Sequence, residues 1–295
     1  MATKTAMITI AGRPNVGKST LTNCLVGEKI AIVSNKPQTT RNRICGILTR
    51  QDTQFVFVDT PGFHNPRTKL GDYMINVVKE SVADVDLTVL VVEPVANVGQ
   101  QEKALIEQFN ARKCPSVLAI NKIDTVEKEE LLAVIAAYSQ YATFDEIIPI
   151  SAKTGDGIEA LLDICEKYAV EGPFLFPEDS TTDQPERQVM AEIIREKILW
   201  NLDREVPHGT AVEITKFSER DNGIIDIDAT IYCEKSSHKG IIIGKHGDML
   251  KKISTMARTD CERFMGTRVY LTTWVKVKEN WRDSDFLVRN FGYSE

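Results

Sequence analysis

The sequence predicts two domains: an α/β domain with a mostly parallel sheet and helices on both faces, then a smaller α+β domain. Three observations carry this. From Thr5 to about Tyr168, apolar strand-length runs alternate with helically spaced ones. A Gly-rich turn with a lysine joins the first strand to the first helix. Beyond a Pro-containing polar stretch at 173–185, the order of elements changes. The 295 residues are 42% apolar and 26% charged, enough for two cores at roughly 150 residues per domain. A net charge of −6 excludes a chain-wide polycation and leaves room for a local basic face. No apolar run approaches the roughly 18 residues of a membrane span. No export signal is visible at the N-terminus, so a cytoplasmic protein is expected. Six scattered cysteines with no Cys-x-x-Cys pair point to reduced thiols rather than zinc or disulfides.

Taken in order, Ala6 to Ile10, Phe55 to Val58, Leu87 to Val92, Ser116 to Ile120 and Ile147 to Ile150 read as buried strands. Leu70 to Val82, Gln101 to Phe109 and Glu129 to Tyr141 carry apolar residues at helical spacing. Ile44 to Arg50 and Gln54 to Val58, with Asp52 in the turn, predict a hairpin and so one antiparallel edge strand. These elements set a first domain at 1–172, a linker at 173–185 and a second domain at 186–295. In the second, a helix at Glu186 to Leu202 precedes strands at Thr210 to Phe217 and Gly223 to Cys233. A short segment to Ile243, a helix near Asp248 to Met265 and a strand near Thr267 to Lys278 complete an α-β-β-α-α-β order.

Gly12-Arg13-Pro14-Asn15-Val16-Gly17-Lys18-Ser19 matches G-x-x-x-x-G-K-[ST] between a strand and a helix, with Thr20 following. Such a loop converges backbone N–H groups on phosphates, and the helix adds its positive end. Lys18 is expected on the β- and γ-phosphates and the Ser19 hydroxyl on Mg²⁺. Asp59-Thr60-Pro61-Gly62 ends a strand where a carboxylate can hold Mg²⁺ and a glycine N–H can face a γ-phosphate. Gln38-Thr39-Thr40-Arg41 lies where a loop can close over that phosphate, and Thr39 or Thr40 supplies a second Mg²⁺ ligand, with Thr40 favoured. Asn121-Lys122-Ile123-Asp124 selects the base. A carboxylate at Asp124 accepts from N1–H and the exocyclic amine of guanine, which adenine does not offer, and a buried carboxylate left unpaired is costly. Ser151-Ala152-Lys153 completes the pocket with a backbone N–H toward the guanine carbonyl. GTP and GDP are therefore the expected substrate and product, with Lys18, Thr40 and Gly62 nearest the chemistry.

In the second domain charge is segregated. Residues 181–295 hold 18 basic and 19 acidic side chains, whereas 235–282 hold 11 and 4, a local surplus of seven positive charges. Within that stretch Ile243-Gly244-Lys245-His246-Gly247 opens a Gly-x-x-Gly turn between two helices. In that position the motif resembles the nucleic-acid loop of a type II KH module, which clamps about four nucleotides of a single strand. Glycines admit the sugar–phosphate backbone, Lys245 and His246 offer donors, and Lys251, Lys252, Arg258, Arg268, Lys276 and Lys278 could line the same face. Trp274 and Trp281 could stack bases, with core packing the better reading for Trp274.

The nucleotide motifs together resemble the translation-factor-like P-loop GTPases that share Gly-x-Pro-Asn-x-Gly-Lys-Ser, Thr-Thr-Arg, Asp-Thr-Pro-Gly and Asn-Lys-x-Asp. Phe63 stands where Ras-like enzymes place the glutamine that orients water. Slow, partner-sensitive hydrolysis follows. In relatives an Asn at the position of Asn15 helps hold K⁺, a role implied here by resemblance. A GTPase domain followed by a type II KH domain resembles the Era family along essentially the whole chain. That includes Phe176-Pro-Glu-Asp179, Glu192-Ile-Ile-Arg-Glu-Lys197 and Trp274-Val-Lys-Val-Lys278. The resemblance implies binding of the 3′ end of 16S ribosomal RNA, a role in 30S subunit assembly, nucleotide state gating RNA binding, and a monomer with no DNA partner. Some members are reported at the inner membrane face; no amphipathic basic helix or acylation signal predicts this here. The rival readings are an RNA-binding scaffold with a structural nucleotide site and a GTPase acting on another RNA.

Overall fold

The computed structural model describes residues 2–62, 68–81 and 85–293. The chain falls into two compact units. The first comprises Met1–Ala31, Thr40–Asn65 and Met74–Asp183, the second Ile32–Thr39, Pro66–Tyr73 and Gln184–Glu295.

Up to Asp183 the chain carries β1 (Lys4–Ala11), α1 (Lys18–Val26), β2 (Ile44–Arg50), β3 (Thr53–Asp59), α2 (Lys69–Ser81), β4 (Leu87–Val92) and α3 (Gln100–Arg112). There follow β5 (Ser116–Ile120), α4 (Lys128–Ser139), β6 (Glu146–Pro149), α5 (Ile158–Glu166) and β7 (Val170–Glu171). The sheet runs β2-β3-β1-β4-β5-β6, with β7 antiparallel on β1. Pairings from β3 through β6 are parallel, and β2 returns antiparallel on β3 through a turn with Gln51 at φ 55°. Because alternate residues of a strand face opposite ways, Val89 and Val91 join a core with Leu21, Leu161 and Leu162. Leu90 and Val92 join another with Leu105, Phe109 and Tyr138. Burial on both faces is why these strands read as continuous apolar runs. Helix α5 and strand β7 were not foreseen, although Ile158, Leu161, Leu162 and Cys165 follow helical spacing.

The segment expected as a linker is docked on the first unit as far as Asp183. The Gln54 side chain accepts from Leu175 N–H at 2.8 Å and Phe176 N–H at 3.0 Å, and donates to Phe176 C=O at 2.9 Å. Asp183 accepts from Cys45 N–H at 3.0 Å, and Thr182 bridges Gly46. Backbone groups of an edge strand find partners in this way.

The second unit carries α6 (Glu186–Asn201), β8 (Ala211–Glu219), β9 (Ile225–Cys233), α7 (Ser236–Ile243), α8 (Asp248–Met265), β10 (Val269–Val277) and α9 (Asp285–Asn290). Its sheet runs β10-β9-β8, β9 pairing parallel with β10 and antiparallel with β8. Helices α6 and α8 bury Ile194, Ile198, Ile253 and Ala257 against Ile227, Ala229 and Ile231. The added C-terminal α9, absent from the expected order, is followed by Phe291 and Tyr293, which pack on Trp281. Trp281 is fully buried and donates to Gly209 C=O at 3.0 Å. Trp274 is the reverse of its expected packing role: it is 59% exposed, because its place on β10 turns it away from the helices.

Three consecutive charged residues of α6 are also buried. Arg195 pairs with Glu192, Glu196 accepts from Val33 N–H at 2.9 Å, and Lys197 bridges Glu196 at 2.7 Å and Asp260 at 2.5 Å. Each charge is matched, as burial demands.

Candidate functional site

The phosphate loop follows β1 and hands over to α1 at Gly17, whose φ is 101°. Its shape depends on missing side chains: a methyl on Gly17 would lie 2.3 Å from Asn121 Nδ2, and one on Gly12 2.4 Å from Val91 C=O. Asn15 is the non-glycine residue of the loop with positive φ, 67°. Lys18 is buried and donates to the carbonyls of Gly12 (3.0 Å) and Arg13 (2.9 Å). Burial lowers its pKa to about 8, against the opposing pull of Asp59.

Asp59 is fully buried at the end of β3, and burial pushes its pKa up to about 6, partly countered by Lys18, Ser19, Thr60 and Thr40. Its Oδ2 accepts from Ser19 Oγ at 2.7 Å, and Ser19 Oγ also lies 2.8 Å from Thr40 Oγ1. Asp59 Oδ1 is buried without a hydrogen-bond partner. Hydroxyl, hydroxyl and carboxylate thus converge with acceptor capacity left over, a hard oxygen set suited to Mg²⁺. Thr39 instead donates within its own loop, to Lys36 C=O at 2.6 Å. Thr60 Oγ1 donates to Ile10 C=O at 3.1 Å, and Gly62 passes so close to Pro14 that a methyl there would fall 2.7 Å from its ring. Phe63 lies outside the described residues.

On the base side, Asn121 holds two loops together. Its amide donates to Val16 C=O at 2.8 Å and accepts from Ala152 N–H at 2.9 Å. Of the Ser151–Lys153 backbone N–H groups, one of which is expected to face the guanine carbonyl, that of Ala152 is engaged with Asn121. Asp124 accepts from Ser151 Oγ at 2.8 Å, and its second oxygen lies 3.9 Å from the exposed Lys153. Lys122, left-handed at φ 66°, donates to Asn15 C=O at 2.7 Å and to Glu93 at 2.6 Å. Glu93 and Glu102, on the connection from β4 into α3, are functional residues that the sequence reading does not single out.

In the second unit the Gly-x-x-Gly turn stands between α7 and α8. Gly244 (φ 75°) abuts Met249, where a methyl would meet Cβ at 2.6 Å, and Gly247 (φ 85°) begins α8. Lys245, His246 and Lys251 are exposed, while Ile243 is half-buried behind them. Lys252, Arg258, Arg268, Lys276 and Lys278 are exposed as well.

Residues 7–122 match the family model described as a 50S ribosome-binding GTPase, and residues 205–282 match the KH domain model. The GTPase Era of Ruminiclostridium cellulolyticum is 53% identical over 293 residues, 99% of this chain and 98% of the relative. That of Clostridium kluyveri is 52% identical over 98% of this chain and 99% of its own. Among solved structures, Era in complex with MgGDPNP and nucleotides 1506–1542 of 16S ribosomal RNA aligns with a TM-score of 0.95 at 36% identity. It covers 99% of this chain and 100% of that one. A variant of Aquifex aeolicus Era bound to GDP·AlF4⁻ gives 0.94 at the same identity and coverage. Half-identical relatives matched end to end leave one assignment: this chain belongs to the Era family of GTPases.

Proposed function

We propose that GTP with Mg²⁺ occupies the cradle Gly12–Thr20, Asp59–Gly62, Asn121–Asp124 and Ser151–Lys153, and that its hydrolysis governs RNA binding at Ile243–Gly247 and Lys251. The observation that carries this is the contact of Thr40, Ser19 and Asp59 Oδ2 in sequence at 2.8 and 2.7 Å, with the second, buried carboxylate oxygen left without a hydrogen-bond partner. These three residues would hold Mg²⁺, which neutralises charge on the β- and γ-phosphates when bound. Lys18, turned onto loop carbonyls here, exchanges them for phosphate oxygens and stays charged below about pH 8. The Gly62 N–H faces the γ-phosphate, and Asp124 reads the guanine edge. A K⁺ ion beside Asn15 belongs to the same reading by resemblance; faster hydrolysis in KCl than in NaCl is its signature.

Gating is supported by where the chain divides. Residues Ile32–Thr39 group with the second unit and Thr40 with the first. A loop that orders when Thr40 engages Mg²⁺ is therefore continuous with the RNA-binding unit, and a ligand shifts only equilibria to which it binds differentially. The RNA is the 3′ end of 16S ribosomal RNA, since the Era that aligns over 99% of this chain was solved with nucleotides 1506–1542. Service in 30S assembly follows from that target; peripheral contact with the inner membrane face rests on resemblance, and vesicle co-sedimentation checks it.

Crosslinking in cells tests the RNA site directly. Small-subunit RNA ending at its 3′ terminus should be recovered with the intact chain and lost with Lys245→Asp, His246→Asp. Equal recovery by both, or recovery of unrelated RNA, rejects the assignment.

A further inference from the structure

Beside the phosphate loop, Arg13 and Lys122 of the cradle meet two carboxylates that the reading above does not use, Glu93 and the buried Glu102. Glu102, fully buried in the first turn of α3, is ion-paired through Oε1 with Arg13 Nε. Neither of its oxygens is aligned for a hydrogen bond. The α3 N-terminus, with its outward N–H groups, favours a carboxylate there. Gly99 leaves room for it, since a methyl at that position would fall 2.6 Å from Oε2. Arg13 also reaches Glu93 at 3.5 Å, and the other Glu93 oxygen takes Lys122 at 2.6 Å. Tyr138, packed nearby, has its hydroxyl pKa raised by burial and then by the Glu102 charge.

The layout has a direction. Arg13 contributes its carbonyl to the phosphate loop, where Lys18 binds it. Lys122 belongs to the base motif and is tied to the loop at Asn15. Both cations answer to two carboxylates carried on one connection, the residues from the end of β4 to the first turn of α3. We propose that Glu102 and Glu93 are positioning residues for guanine-nucleotide binding: by holding Arg13 and Lys122 they fix the phosphate cradle and base motif as one preorganised site. Preorganisation raises affinity by removing the ordering cost at binding. It acts on the parts of the site shared by GDP and GTP, so both nucleotides must lose affinity alike. Once GTP is bound its phosphates reimpose the loop, so the rate of the chemical step is spared.

This inference rests on the guanine-nucleotide reading of the same site, and the unaltered protein's binding of fluorescent GDP checks that reading separately. The test compares the full chain with Glu102→Gln and with Gly99→Ala. The second keeps every charge, and alanine suits the φ of −73° at that position, so its methyl only displaces the carboxylate. Each variant should weaken GDP and a non-hydrolysable GTP analogue equally, by about tenfold for a lost charge-assisted contact. Faster dissociation should account for the loss, with single-turnover hydrolysis of bound GTP within about twofold of the parent. Arg13→Met with Glu102→Leu removes the ion pair as a whole, so no buried carboxylate is left without its cation and fold stability should match the parent while affinity stays low. Affinity restored in that double variant, or unchanged in Gly99→Ala, overturns the proposal. So does a loss confined to the GTP analogue, which would place the action at the γ-phosphate.

Discussion

Gly17 shows how much of this site rests on single atoms. It sits at φ 101° and points its missing side chain at the Asn121 amide, 2.3 Å from where a methyl would be. Asn121 in turn bonds Val16 and Ala152, so the glycine lets three segments of chain meet. Alanine there costs on the order of 1–3 kcal/mol in backbone conformation alone and must also push Asn121 away. Gly17→Ala should therefore lower GDP affinity at least about tenfold, measured by fluorescence titration, while Gly172→Ala, which meets no atom within 4 Å at a φ outside the left-handed region, should leave it within about twofold. The Gly17 motif was legible in sequence because phosphate loops constrain residue type at each step. The Glu93 and Glu102 pairings were not, because their partners lie 80 and 89 positions away, at Arg13, and nothing local signals them.

Among the elements, α6 departs most from what its sequence suggests. Its apolar residues Val189, Met190, Ile193, Ile194 and Ile198 mark a buried face, and the helix forms over nearly the expected span. Charged Arg195, Glu196 and Lys197 would ordinarily mark the solvent side, yet all three are buried. Helical periodicity assigns a face only where one side meets water. Here Val33, Trp200 and Asp260 cover the other side, with Lys197 set 3.7 Å from the Trp200 ring centre. Lys197→Met leaves the fully buried Glu196 without its cation, while Asp260 keeps Arg263 at 3.1 Å, and should destabilise the second unit by about 3 kcal/mol. Chemical denaturation followed by tryptophan fluorescence reads this, and the exposed Lys252→Met should stay within about 0.5 kcal/mol. An equal effect of the two substitutions would mean that the buried pairs contribute nothing.

At the scale of the molecule, two cores imply two cooperative transitions. GDP with Mg²⁺ binds the native first unit and should raise its melting temperature by mass action, as measured by calorimetry. A matching rise in the second transition is what gating requires; a second transition indifferent to nucleotide rules it out. The division of units falls between Thr39 and Thr40. It could not be read from element order, which assigned the whole switch loop to the first domain and 173–185 to a linker.

The sequence by itself determined the motifs offered: a phosphate-loop glycine pattern, hydroxyl and carboxylate candidates for Mg²⁺, a carboxylate proposed to read guanine and a Gly-x-x-Gly turn between helices. It also determined the buried strands, because central strands covered on both faces are continuously apolar. Both kinds of signal are local, written within a few residues of each other. Only the tertiary structure decided that Trp274 faces solvent and Trp281 the core, that the Pro-rich stretch docks along β2 and β3, and that Glu93 and Glu102 stand behind Arg13. Each of those is a pairing between distant parts of the chain, set by which surfaces remain to be covered once the sheets have formed.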